Sequence, residues 1–460
     1  MPGLGCGLGA YLQHGGASWA PAALAAGRSL RYHPGRVIGS LGPTSGGAGT
    51  VTNGAAVGWW QDQVTTADAG TRTADPAVQA TSGRRPTVSF HASGKGFSVN
   101  GSGGAGAGGN FLAGSSAVTG AKTAFIVAHA IGPNVGRSAL AAAPNLHLDN
   151  FHGYVGMAPV ALSANFFTGN NVTNAWLTGS IATFKRDGVV TSDVGYGRTR
   201  YIFEAVHTST ADSGVENLLR FVGSDAYYAR GGLSEVLLGS ATLDSTDRDN
   251  VYQSLSDFFH TGPIVAIVGD SNGASFGDGS GPSGVVTETQ SLAAIIHENY
   301  GRTIDVPCIA VPGQGVSASV SPLTQTMLTD DPAKLATVRR RHNPAILLVV
   351  AGTNDLWNGR TAVQLRADLE TYVAARKAEG WKVIVTTICQ RTGSTGWTGG
   401  METQRGIFNA ALVSDHAFAD ALLDINAIGP SLQGDFVHFD VAGVAAVAAG
   451  AIVVIDGLLP

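Results

Sequence analysis

The chain has 460 residues, 44% of them hydrophobic and 13% charged, so it is long enough for two or three domains and too apolar for a disordered chain. With 28 basic against 33 acidic residues, its formal net charge of -5 supplies no basic surface for nucleic acid or an anionic membrane. Glycine occurs 64 times without a three-residue period, which excludes collagen and predicts many tight turns.

The N-terminus and the cysteines set few limits on where the protein acts. Residues 1–35 form an arm rich in Gly and Ala, and we expect a partner subunit or a larger assembly to hold it. This segment lacks the basic region and the continuous apolar region of a signal peptide. Cys6, Cys308 and Cys389 are too scattered for a disulfide framework or a CxxC zinc site.

Short stretches rich in Val, Thr, Phe and Tyr alternate with turn residues between residues 36 and 260. This texture predicts an antiparallel β-sandwich of the jelly-roll type, with the glycine-rich residues 101–109 as a loop. The predicted strands are residues 87–90, 123–129, 174–177, 182–185, 201–206 and 233–238.

A helix is predicted to close the sandwich. Asp244 or Ser245 can cap its N-terminus, and the apolar stripe consists of Val251, Leu255, Phe258 and Phe259. The strand, the Leu-Asp turn and this helix, residues 233–259, resemble the closing segment of concanavalin-A-like (laminin-G-like) lectin domains. The resemblance implies that residues 36–260 are lectin-like and bind carbohydrate.

From residue 261 onward, strands and helices alternate. Apolar strands are predicted at residues 264–268, 304–310, 345–350 and 382–388. Helices are predicted at residues 291–300 and 362–377. The second helix has Val363, Leu369 and Val373 on its apolar face and Gly380 as its stop. Apolar strands joined by helices predict a parallel sheet with helices on both faces.

The longest apolar run, residues 441–455, is interrupted by Gly443 and Gly450. It is shorter than the roughly 18 to 20 residues that a membrane span needs. We therefore expect no membrane insertion and predict a buried helix and strand in this run.

Polar motifs follow two of the apolar strands and precede this last run. They are Gly-Asp-Ser-Asn-Gly with Asp270 and Ser271, Gly-Thr-Asn-Asp with Asn354, and Asp-Phe-Val-His with Asp435 and His438. Functional groups of parallel sheets gather just past the carboxyl ends of strands. The motifs, in this order, resemble those of the SGNH (GDSL-type) hydrolases. The resemblance implies a three-layer α/β/α, flavodoxin-like domain at residues 261–460.

A serine hydroxyl becomes a nucleophile when a base takes its proton, and an imidazole oriented by a carboxylate is the usual base. Ser271, His438 and Asp435 supply these three groups. A carboxylate three residues before the histidine lies on the same side of the backbone and can accept a hydrogen bond from Nδ1–H.

Acyl transfer also needs donors aimed at the developing oxyanion, each worth about 3 kcal/mol. The resemblance nominates the backbone N–H of Ser271, the backbone N–H of Gly315 and the side-chain amide of Asn354. Gly313 lies close to Gly315 in sequence, and the motif does not separate the two.

Each residue also has a structural interpretation. Ser271 could belong to a plain turn, Asn354 and Asp355 could cap or shape the entry to a helix that begins near Thr361, and His438 is one of 12 histidines. Because the motifs occur together and in the order of the family, catalysis is the favoured interpretation.

Two further residues are candidates for substrate contact. Trp357 follows the Gly-Thr-Asn-Asp motif and either lines the substrate pocket or packs in the core, with packing slightly favoured. Asp270 directly precedes the candidate nucleophile.

Other enzyme classes fit less well. Gly-x-Ser-x-Gly around Ser271 also matches the nucleophile elbow of α/β-hydrolases, but that fold needs several core strands before the serine. No HxxxH or HExxH pattern indicates a metal site, and no cofactor is expected.

The sequence therefore predicts a serine esterase that removes short acyl groups, O-acetyl above all, from a polysaccharide. A tethered glycan-binding domain would raise the effective substrate concentration. The alternatives are a non-enzymatic glycan-binding adhesin or virion fibre, and a lipase or thioesterase of the same family. A glycan target without a signal peptide fits a virion-associated protein acting at a cell surface, and no nucleic-acid partner is expected.

Overall fold

The computed structural model describes residues 243–275, 290–318, 326–391 and 393–460. Before residue 243 it describes shorter segments, namely residues 30–32, 41–42, 54–57, 59–60, 77–78, 82, 85, 87–90, 97–104, 112–119, 123–130, 148–151, 155–160, 163–166, 181–190, 198–207, 213–218 and 228–239. The predicted strand 174–177, residue 6, residues 105–109 and most of the N-terminal arm lie outside the described residues.

Most of the described residues before residue 243 lie in β-strands. They are β1 (Leu30–Tyr32), β2 (Leu41–Gly42), β3 (Trp59–Trp60), β4 (Ala77–Val78), β5 (Thr87–Phe90), β6 (Phe97–Gly104), β7 (Leu112–Thr119), β8 (Thr123–Ala130), β9 (Leu148–Phe151), β10 (Val155–Val160), β11 (Ser163–Phe166), β12 (Ile181–Arg186), β13 (Val189–Val190), β14 (Tyr201–His207), β15 (Ser213–Leu218) and β16 (Tyr228–Gly239).

These strands pair antiparallel in three sheets. The largest has the order β13-β12-β14-β8-β16-β6-β5, with β1 also paired to β16, and the others have the orders β15-β7-β4-β3-β2 and β11-β10-β9. Five of the six predicted strands therefore correspond to β5, β8, β12, β14 and β16. The sandwich arrangement itself stays a prediction.

One expectation for this region was wrong. Residues 101–104 belong to β6 rather than to a loop, because Gly101 and Gly104 pair with Gly231 and Tyr228 of β16 and a neighbouring strand can order residues of low intrinsic strand preference. Within the N-terminal arm, residues 30–32 pair with β16 of the same chain. The partner subunit or larger assembly expected for the arm stays a prediction.

Helix α1 (Ser245–Phe259) has Asp244 as its N-cap, one of the two predicted caps. The Asp244 carboxylate accepts a hydrogen bond from the N–H of Asp247. Its buried residues Val251, Leu255 and Phe259 pack with Phe125, Val127 and Ile202 of β8 and β14. The helix therefore covers one face of the largest sheet and leads directly into the next domain.

The second part of the chain alternates strands and helices. Its elements are β17 (Ile264–Gly269), α2 (Ser271–Ala274), α3 (Leu292–Asn299), α4 (Met327–Arg339), β18 (Ala345–Val350), α5 (Thr353–Trp357), α6 (Ala362–Ala378), β19 (Lys382–Thr386), α7 (Gly399–Ser414), β20 (Ala421–Leu423), α8 (Ile425–Ile428) and α9 (Val441–Leu458).

Strands β17, β18, β19 and β20 form a parallel sheet in that order. The predicted strand 304–310 is extended and touches the far side of β17 through parallel bridges at Asp305 and Cys308. The chain therefore leaves β17 toward one side of the sheet and returns to the other side as β18. A topological switch point results between β17 and β18, where open α/β sheets place their sites.

Helices cover both faces of this sheet, as the apolar strands predict. One core joins Ala266, Val268 and Leu347 to α4, α6 and α7, and the other joins Ile267 and Leu348 to α3 and α9. Alternate residues of each strand enter opposite cores, which is why the strands are apolar throughout.

The predicted inner face of α6 was partly wrong. Leu369 and Val373 are buried, but Val363 is 76% exposed, and the buried stripe instead includes Ala362, Leu365 and Tyr372. The hydroxyl of Thr361 caps this helix by accepting a hydrogen bond from the N–H of Gln364. The buried stripe starts at Ala362, one residue before Val363. The helix stops before Gly380, which has φ +87°, as predicted.

The last apolar run is one continuous helix, α9, without the predicted strand. Among the described residues it is the one helix long and apolar enough to cross a membrane by length and composition, with a mean hydropathy of 2.2 over 18 residues. Val444, Val447, Ala451 and Ile455 recur at helical spacing and are fully buried in the sheet's core. One face of α9 therefore packs against the sheet.

Candidate active site

A tight turn places Ser271 just past the carboxyl end of β17. Gly269 adopts φ +125°, and a Cβ atom there would lie 1.8 Å from the carbonyl oxygen of Val350. The next residue, Asp270, caps the short helix α2 by accepting a hydrogen bond from the N–H of Asn272 at 2.9 Å. Ser271 is consequently the first residue of α2 and projects from the edge of the sheet.

The structure brings Ser271, His438 and Asp435 together although 167 residues separate the serine from the histidine. His438 Nε2 lies 2.8 Å from Ser271 Oγ, and His438 Nδ1 lies 2.6 Å from Asp435 Oδ2. With Nδ1–H donating to the carboxylate, Nε2 is an acceptor for the serine hydroxyl proton. This is the geometry that general-base activation of a hydroxyl requires.

Asp435 is held as an ion. Its Oδ1 accepts hydrogen bonds from the N–H of Val437 at 2.8 Å and of His438 at 3.1 Å. Partial burial raises the pKa of this carboxyl group, but these N–H donors and the His438 ring outweigh it and hold the pKa below its ordinary value. The ionised Asp435 can therefore stabilise the imidazolium that forms when His438 takes a proton.

Asn272, which the sequence analysis did not single out, connects the serine turn to the histidine loop. Its Oδ1 accepts a hydrogen bond from the N–H of Phe439 at 3.2 Å, directly after His438. On the other side, Gln433 donates from Nε2 to the carbonyl oxygen of Phe439 at 2.9 Å. The position of Asn272 directly after Ser271 was a usable sequence signal, but its partner lies too far along the chain to predict.

Asn354 lies on the neighbouring strand end, in helix α5 after β18. Its Nδ2 donates to the carbonyl oxygen of Gln314 at 2.9 Å, which orients the amide beside the Gln314–Gly315 peptide unit. This contact favours Gly315 over Gly313 as the neighbour of Asn354. Asn354 and Asp355 do not cap α6, because Thr361 does so.

Asp355 fastens the loop that carries Gly315. Its carboxylate accepts from the N–H of Val316 at 2.8 Å, of Ser317 at 2.9 Å and of Ala318 at 3.0 Å. A Cβ atom at Gly315 would lie 2.0 Å from the carbonyl oxygen of Ala318 and 2.6 Å from Asp355 Oδ2, so only glycine fits. The candidate oxyanion loop is thus shaped by a buried carboxylate.

Asp270, a candidate for substrate contact, is a buried residue. Its side chain is 2% exposed and lies beneath the serine turn. Burial raises its pKa to about 6, against the opposing effects of the Arg391 charge and the Asn272 N–H.

Aromatic side chains surround the loop that follows β19. The rings of Trp357 and Trp397 are 5.9 Å apart, and Trp357 also packs over Gly396. Phe436, between Asp435 and His438, is 46% exposed with φ +56°, and its ring packs over Gly393. Trp357 therefore packs against another aromatic residue, whereas Phe436, which the sequence analysis missed, presents an exposed ring beside His438.

The fold is a parallel sheet with helices on both faces, and the site is a carboxylate, an imidazole and a serine hydroxyl in a hydrogen-bonded series at its edge. Residues 267–446 match the family model described as the GDSL-like Lipase/Acylhydrolase family, so this part of the chain is similar to that family. No curated protein matches the sequence. The resemblance of residues 233–259 to lectin domains stays a prediction.

Solved structures of GDSL-type esterases are similar to part of the chain. A carbohydrate acetylesterase family member from Sinorhizobium meliloti is 18% identical with a TM-score of 0.37, covering 43% of this chain and 99% of that chain. A second carbohydrate acetylesterase from Sinorhizobium meliloti is 15% identical with a TM-score of 0.36, and the aryl esterase of M. smegmatis is 17% identical with a TM-score of 0.36. Each of these two covers 43% of this chain and 100% of its own.

Proposed function

We propose that the chain is a serine esterase that removes short acyl groups, O-acetyl in particular, from a polysaccharide. Ser271 is the nucleophile, His438 the general base and acid, and Asp435 the carboxylate that orients the imidazole. The observation that carries the proposal is the hydrogen-bonded series from Asp435 through His438 to Ser271, with distances of 2.6 and 2.8 Å.

In the first half of the reaction Ser271 Oγ attacks the ester carbonyl carbon while His438 Nε2 takes the hydroxyl proton. The carbonyl oxygen becomes an oxyanion, for which the N–H groups of Ser271 and Gly315 and the amide of Asn354 are the proposed donors. Collapse breaks the bond to the sugar oxygen, which receives the proton from His438. An acetyl-serine remains.

In the second half a water molecule attacks the acetyl-serine while His438 takes one of its protons. The tetrahedral intermediate collapses, Ser271 Oγ regains a proton from His438, and acetate leaves. Specificity for a polysaccharide is supported by the lectin-like pattern of residues 36–260, because a tethered glycan binder raises the local substrate concentration.

Turnover of 4-nitrophenyl acetate by the wild type and by Ser271→Ala tests the catalytic assignment. We expect the variant to lose all but a small residual rate, by a factor of about 10³ or more, since no other group replaces the nucleophile. Ser414→Ala, an exposed hydroxyl on α7, is the matched control and should be unaffected. Equal rates for wild type and Ser271→Ala would instead support a non-enzymatic glycan-binding protein.

The acyl preference needs a separate experiment. Esters of 4-nitrophenol from acetate to laurate should be cleaved in order of decreasing rate, and acetylated polysaccharides should release acetate. A preference for long chains would contradict the carbohydrate part of the proposal and support a lipase or thioesterase.

A further inference from the structure

Arg391, in the loop after β19, is a buried cation that the proposed mechanism does not use. Its side chain is 2% exposed. Nη2 donates to Thr353 Oγ1 at 2.9 Å, whereas Nε and Nη1 have no hydrogen-bond partner among the described residues. A buried guanidinium with unpartnered N–H groups is costly unless a counter-charge or a water molecule compensates it.

The compensation is available directly beneath the serine turn. Arg391 and Asp270 line the same small cavity, of about 10 Å³, together with Thr353 and Thr387. This volume is near the minimum for one water molecule, and the lining supplies several polar partners for it. Arg391 and Asp270 are both 2% exposed, so water screens their attraction little.

The charged groups around Asp270 have opposing effects on its pKa. Burial raises the pKa of Asp270 to about 6, Arg391 lowers it most among the neighbouring charges, His438 lowers it as well, and Asp355 raises it. The Cys389 thiol lies close enough for the Asp270 charge to raise its pKa. The attraction between Asp270 and His438 is reciprocal, so an ionised Asp270 also stabilises the His438 imidazolium.

We propose that Arg391 is a positioning residue, which keeps Asp270 ionised through one water molecule held in this cavity. The Asp270 carboxylate then fixes the serine turn through the Asn272 N–H and stabilises the charge that His438 acquires during attack. This inference rests on the proposed esterase function, because it needs a turnover to measure.

The pH dependence of kcat and KM for 4-nitrophenyl acetate tests the proposal in Arg391→Gln. Without the guanidinium, Asp270 binds a proton up to higher pH, so that kcat should fall by about tenfold near pH 6.5 and recover to within about threefold near pH 9. KM should change little. Arg391→Lys keeps the charge and should restore most of the rate near pH 6.5.

Asp270→Asn identifies the group that titrates. In this background Arg391→Gln should no longer shift the acid limb of the profile, because no carboxylate remains to be protonated. Arg376→Gln removes another buried arginine, whose ion pair is with Glu379, and controls for loss of stability without a shift of the limb. Thermal melting at each pH verifies folding.

The proposal would be overturned if Arg391→Gln lowered kcat by the same factor at every pH. It would also be overturned if Arg391→Gln shifted the acid limb of the kcat profile equally in the wild-type and Asp270→Asn backgrounds. If Arg391→Gln does not fold, Asp270→Asn alone decides, since the proposal requires it to lose kcat near pH 9. A wild type that does not turn over the ester would instead refute the proposed function, so the two failures are distinguishable.

Discussion

Asp435 combines two tasks at the scale of a single side chain. One carboxylate oxygen accepts from the His438 ring and the other from two backbone N–H groups, so the same group shapes its own loop and orients the imidazole. The lowered pKa of Asp435 means that this arrangement persists well below neutral pH.

Replacing the charge while keeping the shape tests this role. In Asp435→Asn the amide favours the wrong imidazole tautomer and no longer stabilises the imidazolium, so we expect kcat to fall by about 10²- to 10⁴-fold with a small change in KM. Asp440→Asn is the matched control, because Asp440 caps α9 without contacting the His438 ring. A similar loss of kcat in both variants would argue against a specific role for Asp435.

At the scale of elements, the sheet positions two of the site's loops, and a buried carboxylate holds the loop of Gly315. β17 and β18 deliver Ser271 and Asn354 to neighbouring strand ends, whereas the Gly315 loop belongs to no strand. Its three consecutive N–H groups converge on Asp355 instead. Asp355 is therefore a main determinant of the shape of the Gly315 loop.

Asp355→Ala should release this loop. Removal of an acceptor of three buried N–H groups should cost about 2–3 kcal/mol of unfolding free energy, measured by urea denaturation. The loss of a preorganised oxyanion donor should also lower kcat by about 10- to 100-fold. Asp368→Ala is the control, since Asp368 contacts the same loop only through the Ser317 hydroxyl. Unchanged kcat in a folded Asp355→Ala protein would remove Gly315 from the proposed mechanism.

The sequence predicted those parts of this domain that local patterns determine. Apolar runs located β17 and β18 to within a residue. The short motifs nominated Ser271, Asn354 and His438, and the structure places His438 Nε2 2.8 Å from Ser271 Oγ. The prediction for the buried face of α6 was wrong at Val363. The capping residue sets where the helix starts, and this start decides whether an apolar side chain in the first turn faces the core or the solvent. Arg391 and Asn272 could not be assigned, since their partners lie in distant segments.

At the scale of the whole molecule, the two parts of the chain join away from the site. Arg200, at the start of β14, pairs with Asp305 at 2.9 Å, and the N–H of Val306 donates to the carbonyl oxygen of Arg198 at 2.8 Å. Asp305 lies beside the first residue of β17, whereas Ser271 follows its last. Six residues of strand span about 20 Å, so the joint lies at the opposite edge of the sheet.

Buried charges and two neutral histidines make up this joint. Arg340 pairs with Asp187 of the turn between β12 and β13, and His260 and His342 are fully buried with rings 5.9 Å apart. His342 donates from Nδ1–H to the carbonyl oxygen of Gly262 at 2.8 Å. Burial and the nearby arginine charges lower the pKa of His342 to about 4, although Asp305 raises it.

Because His342 is buried in its neutral form, we expect the free energy of unfolding to fall in mild acid. The unfolded chain binds a proton at His342 below about pH 6.5, whereas the folded chain binds it only below about pH 4. The contribution of His342 to the free energy of unfolding therefore falls as the pH drops between these two values, and it is constant above them. His342→Asn keeps a donor for Gly262 but cannot titrate. The free energy by which the wild type exceeds this variant should shrink by about 2 kcal/mol between pH 7 and pH 5 in urea unfolding.

Carboxyl groups with raised pKa, such as Asp331 at about 7, act in the opposite direction but are present in both proteins and cancel in the comparison. A difference between wild type and His342→Asn that stays constant with pH would contradict a buried neutral imidazole at the joint.

Covalent trapping of Ser271 measures whether His438 activates its hydroxyl. A fluorophosphonate ester transfers its phosphonyl group to an activated serine with release of fluoride, and mass spectrometry of the digested protein locates the adduct. We predict one adduct, on Ser271, that forms at least about 10²-fold more slowly in His438→Ala because the hydroxyl then lacks its base. An unmodified Ser271, or labelling at a rate independent of His438, would contradict the account.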